Sequence, residues 1–194
     1  QASHSTHTPS EPVWRLLKDK RVIGLTFAHV FSASIWWFYL YWIPSFLNQE
    51  RHLDIHEIGI YGWIPYFFAS IGSVWGGYAS GSLVKKGWNP LDARRRIMWI
   101  CACIVPFTSF VVMAYSLPAV LAILAIATFF IQGFFANLFA LPTDLFPSDK
   151  VASVVGINVS FNYMMAILVT QFTGRVVETI SYTPAFVLVA FFLP

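Results

Sequence analysis

Apolar residues run along this chain in long blocks separated by short polar breaks. The blocks cover 22–47, 58–84, 97–115, 119–146 and 151–174, and a further one begins at 184. The first contains no Asp, Glu, Lys or Arg. A helix of about 20 apolar residues covers the hydrocarbon core of a bilayer, so five of these blocks predict spanning helices. The eleven residues at 184–194 are too few to cross and read as the start of a sixth, truncated span. The expected fold is an all-α integral membrane bundle of six helices with the last one incomplete.

The breaks fill in the rest of the plan. Residues 1–12, rich in Ser, Thr, His and Pro, predict a flexible linker. Residues 13–20 predict a short interfacial helix, with Trp14, Leu16 and Leu17 toward lipid and Arg15, Lys18 and Lys20 at the headgroups. Within the second span Pro65 predicts a kink, and Gly72, Gly76 and Gly77 allow a neighbouring helix to come close. Polar loops are expected at 48–57, 85–96, 148–150 and 175–183, and a tight turn at 116–118.

Composition agrees with the pattern. Of 194 residues 57% are hydrophobic and 11% charged, where a soluble domain carries about 25% charged residues. The mean hydropathy is +0.65, and 19 Phe, 8 Trp and 8 Tyr exceed what a soluble core requires. The net charge of +3 does not point to nucleic acid, because the basic residues lie at helix ends. Alternating the loops puts Arg15, Lys18, Lys20, Arg21, Lys85, Lys86, Arg94, Arg95, Arg96 and Lys150 on one side and only Arg51 and Arg175 on the other. That bias makes the first side cytoplasmic, with the start of the chain inside. Cys101 and Cys103, two apart, point to different helix faces and do not predict a mutual disulfide. The first twenty residues are polar and predict no secretory signal. A chain that starts at Gln1 and stops within an apolar run reads as a piece of something longer.

Polar groups inside a membrane need partners, so they mark candidate sites. Ser34, Trp37 and Tyr41 share a helical face. Trp37 and Tyr41 offer either an interfacial aromatic belt or a stacking wall for a polyhydroxylated ligand. Gln132 and Asn137 lie mid-way along the fourth span, and Asn158 and Asn162, four apart, share a face of the fifth. These amides are either interhelical glue or ligand contacts. His29 reads as a hydrogen-bonded packing residue, with proton relay as the sharper alternative. Asp144, between Pro142 and Pro147, is expected to cap the helix end or pair with a basic loop residue. His52 and His56 near Asp54 and Glu57 have a spacing that zinc accepts, but a solvated loop is the simpler expectation. No HExxH, GxSxG or Walker motif occurs. No enzyme activity, metal or cofactor is expected.

Several segments carry a resemblance: WWFYLYWIPSFL, GGYASGSLVKKG, GWNPLDARRR, QGFFANLFALPTDLFP and ASVVGINVSFNY. Together they resemble the C-terminal half of a major facilitator superfamily transporter. Within it they are similar to the anion:cation symporter family, which includes hexuronate and aldonate transporters. The resemblance covers residues 13–194. It implies two six-helix bundles rocking about a central cavity, with residues 1–20 the cytoplasmic linker between halves and 21–194 the C-terminal bundle. The first, fourth and fifth spans would line the cavity, so Trp37, Tyr41, Gln132, Asn137, Asn158 and Asn162 are the expected substrate-binding residues. Asn158 and Asn162 match an NxxxN pattern of which one amide contacts the substrate. The proton-coupling acid and the carboxylate-binding arginine would belong to the N-terminal half. The implied function is proton-coupled symport of a sugar acid by alternating access in the cell's inner membrane. Its expected partners are the anion, the proton, the bilayer and the N-terminal half. A non-transporting scaffold or sensor, or a self-pairing half-transporter, are the alternatives on the same fold. Two positions depart from the family pattern: Gly81 and Ser70 stand where related chains carry acids.

Overall fold

A computed structural model of the chain describes residues 13–179. Among them the only regular secondary structure is helical. The elements are α1 (Val13–Leu16), α2 (Lys20–Gln49), α3 (Ile55–Tyr61), α4 (Ile64–Lys85), α5 (Pro90–Ile104), a 3₁₀ segment (Val105–Met113), α6 (Leu117–Leu145) and α7 (Ser148–Thr179).

Several helix starts are written locally. Asp19 caps α2 by accepting from the Arg21 N–H at 2.8 Å. The Arg21 side chain and backbone both donate to this carboxylate, holding its pKa below the ordinary value. Asp54 and Glu57 form a reciprocal capping box on α3. Asn89 caps α5 and Pro90 occupies its first turn, where a missing N–H costs nothing. Asp54 and Glu57, the carboxylates near His52 and His56, are thus engaged in starting α3.

The element bounds correct several expectations, one of them the loop at 148–150, which lies in the first turn of α7. The second span is two helices, because α3 stops at Tyr61 and α4 starts at Ile64. Pro65 lies in the first turn of α4 instead of inside a kinked helix. Its ring excludes a continuous helical turn before it, so the break falls at Gly62 and Trp63. The triple arginine is not in a loop: Arg94, Arg95 and Arg96 lie on α5, which starts seven residues before the expected 97. Helix α7 runs to Thr179, so Arg175 is helical and the expected loop at 175–183 does not begin there. Of the interfacial segment at 13–20, Val13–Leu16 form a short helix and Lys20 already begins α2. The linker at 1–12 and the sixth span lie outside the described residues.

Lys20–Gln49, Leu117–Leu145 and Ser148–Gln171 are long and apolar enough to cross a membrane, by length and composition. The expected second and third spans fall short of that measure. Helix α4 is diluted by Gly72, Ser73, Gly76, Gly77, Ser80, Gly81 and Ser82, and α5 has 15 residues before it tightens into the 3₁₀ segment.

Helix α6 is the hub. It touches α2, α4, α5, the 3₁₀ segment and α7, and its buried residues, among them Ala125, Ile131, Gly133 and Asn137, lie on all sides of its axis. Helix α7 is peripheral: Val154, Ile157, Asn158, Asn162 and Ala166 make one buried stripe, while Tyr163, Met164, Ile167 and Leu168 are exposed. Its main partner is α2. Contacts climb together along both helices, from Thr26–Asn158 to Trp37–Asn162 to Trp42–Gly174, so α2 and α7 run parallel. Helices α4 and α6 run parallel for the same reason, through Pro65–Thr128, Gly72–Phe129 and Gly76–Gly133.

Candidate functional site

The α2/α7 seam gathers four of the six expected site residues. The Trp37 indole N–H donates to Asn162 Oδ1 at 3.1 Å. Tyr41, one turn further along α2, stacks on the indole with centroids 5.6 Å apart and planes 17° apart. Tyr163 of α7 closes on the same indole at 5.5 Å. Tyr41 is 51% and Tyr163 57% exposed, so the ring cluster opens outward from the bundle. Nearer the start of α2, Thr26 Oγ1 donates to Asn158 Oδ1 at 2.8 Å. Asn158 is fully buried, and its Nδ2 has no hydrogen-bond partner.

Asn137 is placed elsewhere. It is fully buried between α4 and α6, where Nδ2 donates to the carbonyls of Gly76 (3.0 Å) and Gly133 (2.9 Å). Its Oδ1 is buried without a partner. Gln132 is half-buried on α6. The fold therefore brings together Trp37, Tyr41, Asn158 and Asn162, and sets Asn137 in a different interface.

His29 is buried, with Nδ1 2.9 Å from the Leu25 carbonyl. A carbonyl only accepts, so Nδ1 carries the proton. The ring edge meets Phe139 of α6 at 4.9 Å, and Nε2 has no partner. This is the packing role expected from sequence, with one acceptor left over. Ser34 is buried and donates to the Val30 carbonyl of its own helix, away from the ring cluster.

Charge is segregated from this seam. No Asp, Glu, Lys or Arg occurs in 22–47 or 151–171. Basic groups collect at one end of the bundle, where Arg94 pairs with Asp144, both mostly buried, and Arg21 reaches the Leu145 carbonyl at 3.3 Å. The expectation that Asp144 pairs with a basic residue is met, with a partner in the GWNPLDARRR segment. Cys101 is buried and Cys103 exposed, as their spacing requires. Among the described residues no cluster of metal-ligating side chains occurs.

Two participants were missed from sequence. Thr26 lies eleven residues before Trp37, about three helical turns, and so on the same face. Extending the Trp37–Tyr41 face toward the helix start would have found it. Tyr163, adjacent to Asn162, carried no periodic signal of its own.

A neutral face of amides and tyrosine and tryptophan rings can stack on a pyranose or an extended polyol and hydrogen-bond its oxygens. Comparison with known proteins gives this chemistry a context. The family model described as Major Facilitator Superfamily matches residues 1–170. The chain belongs to the Major Facilitator Superfamily. Within that superfamily it is 23% identical over 194 residues to the hexuronate transporter of Escherichia coli K12, covering 99% of this chain and 45% of that protein. It is 25% identical over 180 residues to the D-galactonate transporter of Escherichia coli O6:H1, covering 91% and 41%. It is 27% identical over 184 residues to the hexuronate transporter of Bacillus subtilis 168, covering 91% and 43%. The chain thus spans less than half the length of each of these superfamily relatives.

Proposed function

We propose that this chain is the C-terminal half of a secondary transporter for an organic anion, a sugar acid of the hexuronate or aldonate type. In this reading residues 21–194 are the six-helix C-terminal bundle and 1–20 the linker from an N-terminal half. The basic end of the bundle faces the cytoplasm across the inner membrane, by the positive-inside bias. Transport proceeds by alternating access and is driven by proton symport, with the coupling acid and the carboxylate-binding arginine supplied by the other half.

The observation that carries the reading is the α2/α7 seam, where Trp37, Tyr41, Asn158 and Asn162 meet in a charge-free, outward-opening face. Trp37 and Tyr41 pack on the sugar carbons, and the two asparagines hydrogen-bond its oxygens. Gln132 contributes from α6. Asn137 has its amide N–H groups on two backbone carbonyls, and in this reading its contribution to binding is to hold α4 against α6. Relatives named as hexuronate and galactonate transporters support the substrate class.

The test is uptake by the full-length protein in proteoliposomes. Labelled D-glucuronate or D-galactonate accumulates above equilibrium under an inward proton gradient and leaks back when a protonophore is added. Absence of uptake of either acid overturns the substrate class. Uptake indifferent to the gradient overturns proton coupling alone.

A further inference from the structure

Three helix ends meet at the basic end of the bundle: the starts of α2 and α5 and the end of α6. Between them lies a cavity of about 440 Å³ built in two layers. Gly24, Arg95 and Leu141 line it near the helix ends. Ala28, Trp99 and Phe134 line it one to two turns deeper, so the slot reaches about 10 Å inward along α6. Its floor is apolar, and Arg95 is the one charged group in its lining. Neighbouring arginines are engaged elsewhere: Arg94 pairs with Asp144, Arg21 pairs with Asp19, and Arg96 lies over the Trp88 ring at 4.9 Å. Arg95 has no hydrogen bond or ion pair among the described residues. A Cβ added at Gly24 meets nothing within 4 Å, so the slot is open where α2 passes it.

We propose that this cleft binds one anionic phospholipid of the surrounding bilayer. A guanidinium without a carboxylate, set at the mouth of an apolar slot, matches a phosphate joined to an acyl chain. The Arg95 N–H groups donate to the phosphate oxygens, a geometry that suits a planar guanidinium. Trp99 lies one turn further on the same face of α5 and is 63% exposed. Its indole sits at the depth of the glycerol esters and offers them an N–H donor. One acyl chain runs past Gly24 and Ala28 toward Phe134 and fills the slot by van der Waals contact. Free phosphate would leave that apolar part empty. A zwitterionic headgroup would bring its ammonium among the basic groups of this end, which repel it. Basic clefts between spanning helices take anionic headgroups for these reasons. The lipid site is independent of the sugar-acid reading, because none of its residues belongs to the α2/α7 seam.

The experiment uses the full-length protein in a neutral detergent, where no charged bilayer surface attracts it. Dioleoyl phosphatidylglycerol is titrated in, with dioleoyl phosphatidylcholine in parallel, and bound lipid is counted by native mass spectrometry. The wild type is expected to hold one phosphatidylglycerol in preference to phosphatidylcholine. Arg95→Gln is expected to weaken that binding about fivefold, the loss of one basic group facing an anionic lipid. Arg96→Gln removes the same charge from the same helix, outside the slot, and is expected to bind as the wild type does. Gly24→Leu fills the slot from its open side and is expected to weaken binding with Arg95 still in place. Should Gly24→Leu fail to fold, Ala28→Val narrows the deeper layer in its stead. Equal losses in Arg95→Gln and Arg96→Gln would overturn the site in favour of diffuse attraction. Unchanged binding in the slot-filling variant, or equal affinity for glycerol phosphate, would overturn the lipid as the ligand. No preference for phosphatidylglycerol in the wild type, as when another part of the full-length protein covers the cleft, overturns the proposal outright.

Discussion

The α4/α6 and α2/α7 seams each join two parallel helices, and they do so by different means. Between α4 and α6 the backbones themselves touch. A Cβ added at Gly72 would fall on the backbone of Phe129, and one at Gly76 on that of Gly133. Asn137 crosses the same seam to the Gly76 carbonyl, and Thr128 crosses it to the Pro65 carbonyl at 2.6 Å. Between α2 and α7 no such glycine contact holds the helices, and side chains meet tip to tip through Thr26–Asn158 and Trp37–Asn162. In a membrane, where lipid is as apolar as leucine, close packing of small residues drives helix association. The first seam has that geometry. The second is held by polar side-chain tips instead of by backbone contact. Mid-membrane asparagines therefore do different work according to how near the opposing backbone comes.

The contrast can be broken at either seam. The largest effect is expected from Gly72→Leu, which drives a branched side chain into the Phe129 backbone. Overpacking of this kind costs about 3 kcal/mol or more, and the folded yield and thermal unfolding midpoint of the full-length protein in detergent should fall sharply. Asn137→Ala removes two hydrogen bonds to carbonyls and is expected to cost about 2 kcal/mol, with substrate KM unchanged among the molecules that remain folded. A raised KM with normal stability would move Asn137 from the first seam's role to the second's. At the charged end, Asp144→Asn leaves Arg94 without its carboxylate. The pair is 16–21% exposed at its side chains, so a loss of about 1–2 kcal/mol is expected. A double-mutant cycle with Arg94→Gln should show the two changes to be less than additive.

Tyr41→Ala sharpens the other side of the comparison. Tyr41 is half exposed, so stability should shift by about 0.5 kcal/mol or less, while loss of a stacking face raises KM about fivefold. The smallest effect is at Asp19. Its folded pKa lies below the ordinary carboxylate value, mainly because Arg21 hydrogen-bonds to it. The cap therefore stabilises α2 above the ordinary value and loses that contribution as pH falls through the folded one. Asp19→Ala is expected to cost about 1 kcal/mol near neutral pH, and unfolding curves of wild type and variant should converge in strong acid.

Much of the fold is legible in the sequence because its instructions are local. Asp54 with Glu57, and Asn89 with Pro90, start helices where they stand, and the apolar blocks set the lengths of α2, α6 and most of α7. The end of α7 was hidden because Arg175 and Glu178 look like loop residues, although helical geometry tolerates both. The division of the asparagines was harder to read. Asn137, Asn158 and Asn162 are the same residue at comparable places in apolar helices, and which backbone lies opposite is set by tertiary register. One signal was available: Asn137 lies one turn after Gly133, on the face where small residues announce a close neighbour. Asn158 and Asn162 have no such glycine on their stripe. The pairing of Trp37 with Asn162 had no local signal, since it depends on how α2 and α7 slide past each other.

The 3₁₀ segment after α5 carries a different kind of consequence. Three residues per turn put Val105, Thr108 and Val111 in a straight buried column, and Thr108 shares a 3.0 Å hydrogen bond with the Tyr39 hydroxyl of α2. A 3₁₀ helix rises about 2.0 Å per residue and an α-helix about 1.5 Å. Nine residues wound this way are about 4–5 Å longer than the same stretch as an α-helix. Rewound as an α-helix, the same nine residues would be shorter by nearly one α-helical turn, and the column that places Thr108 against Tyr39 would be twisted out of line.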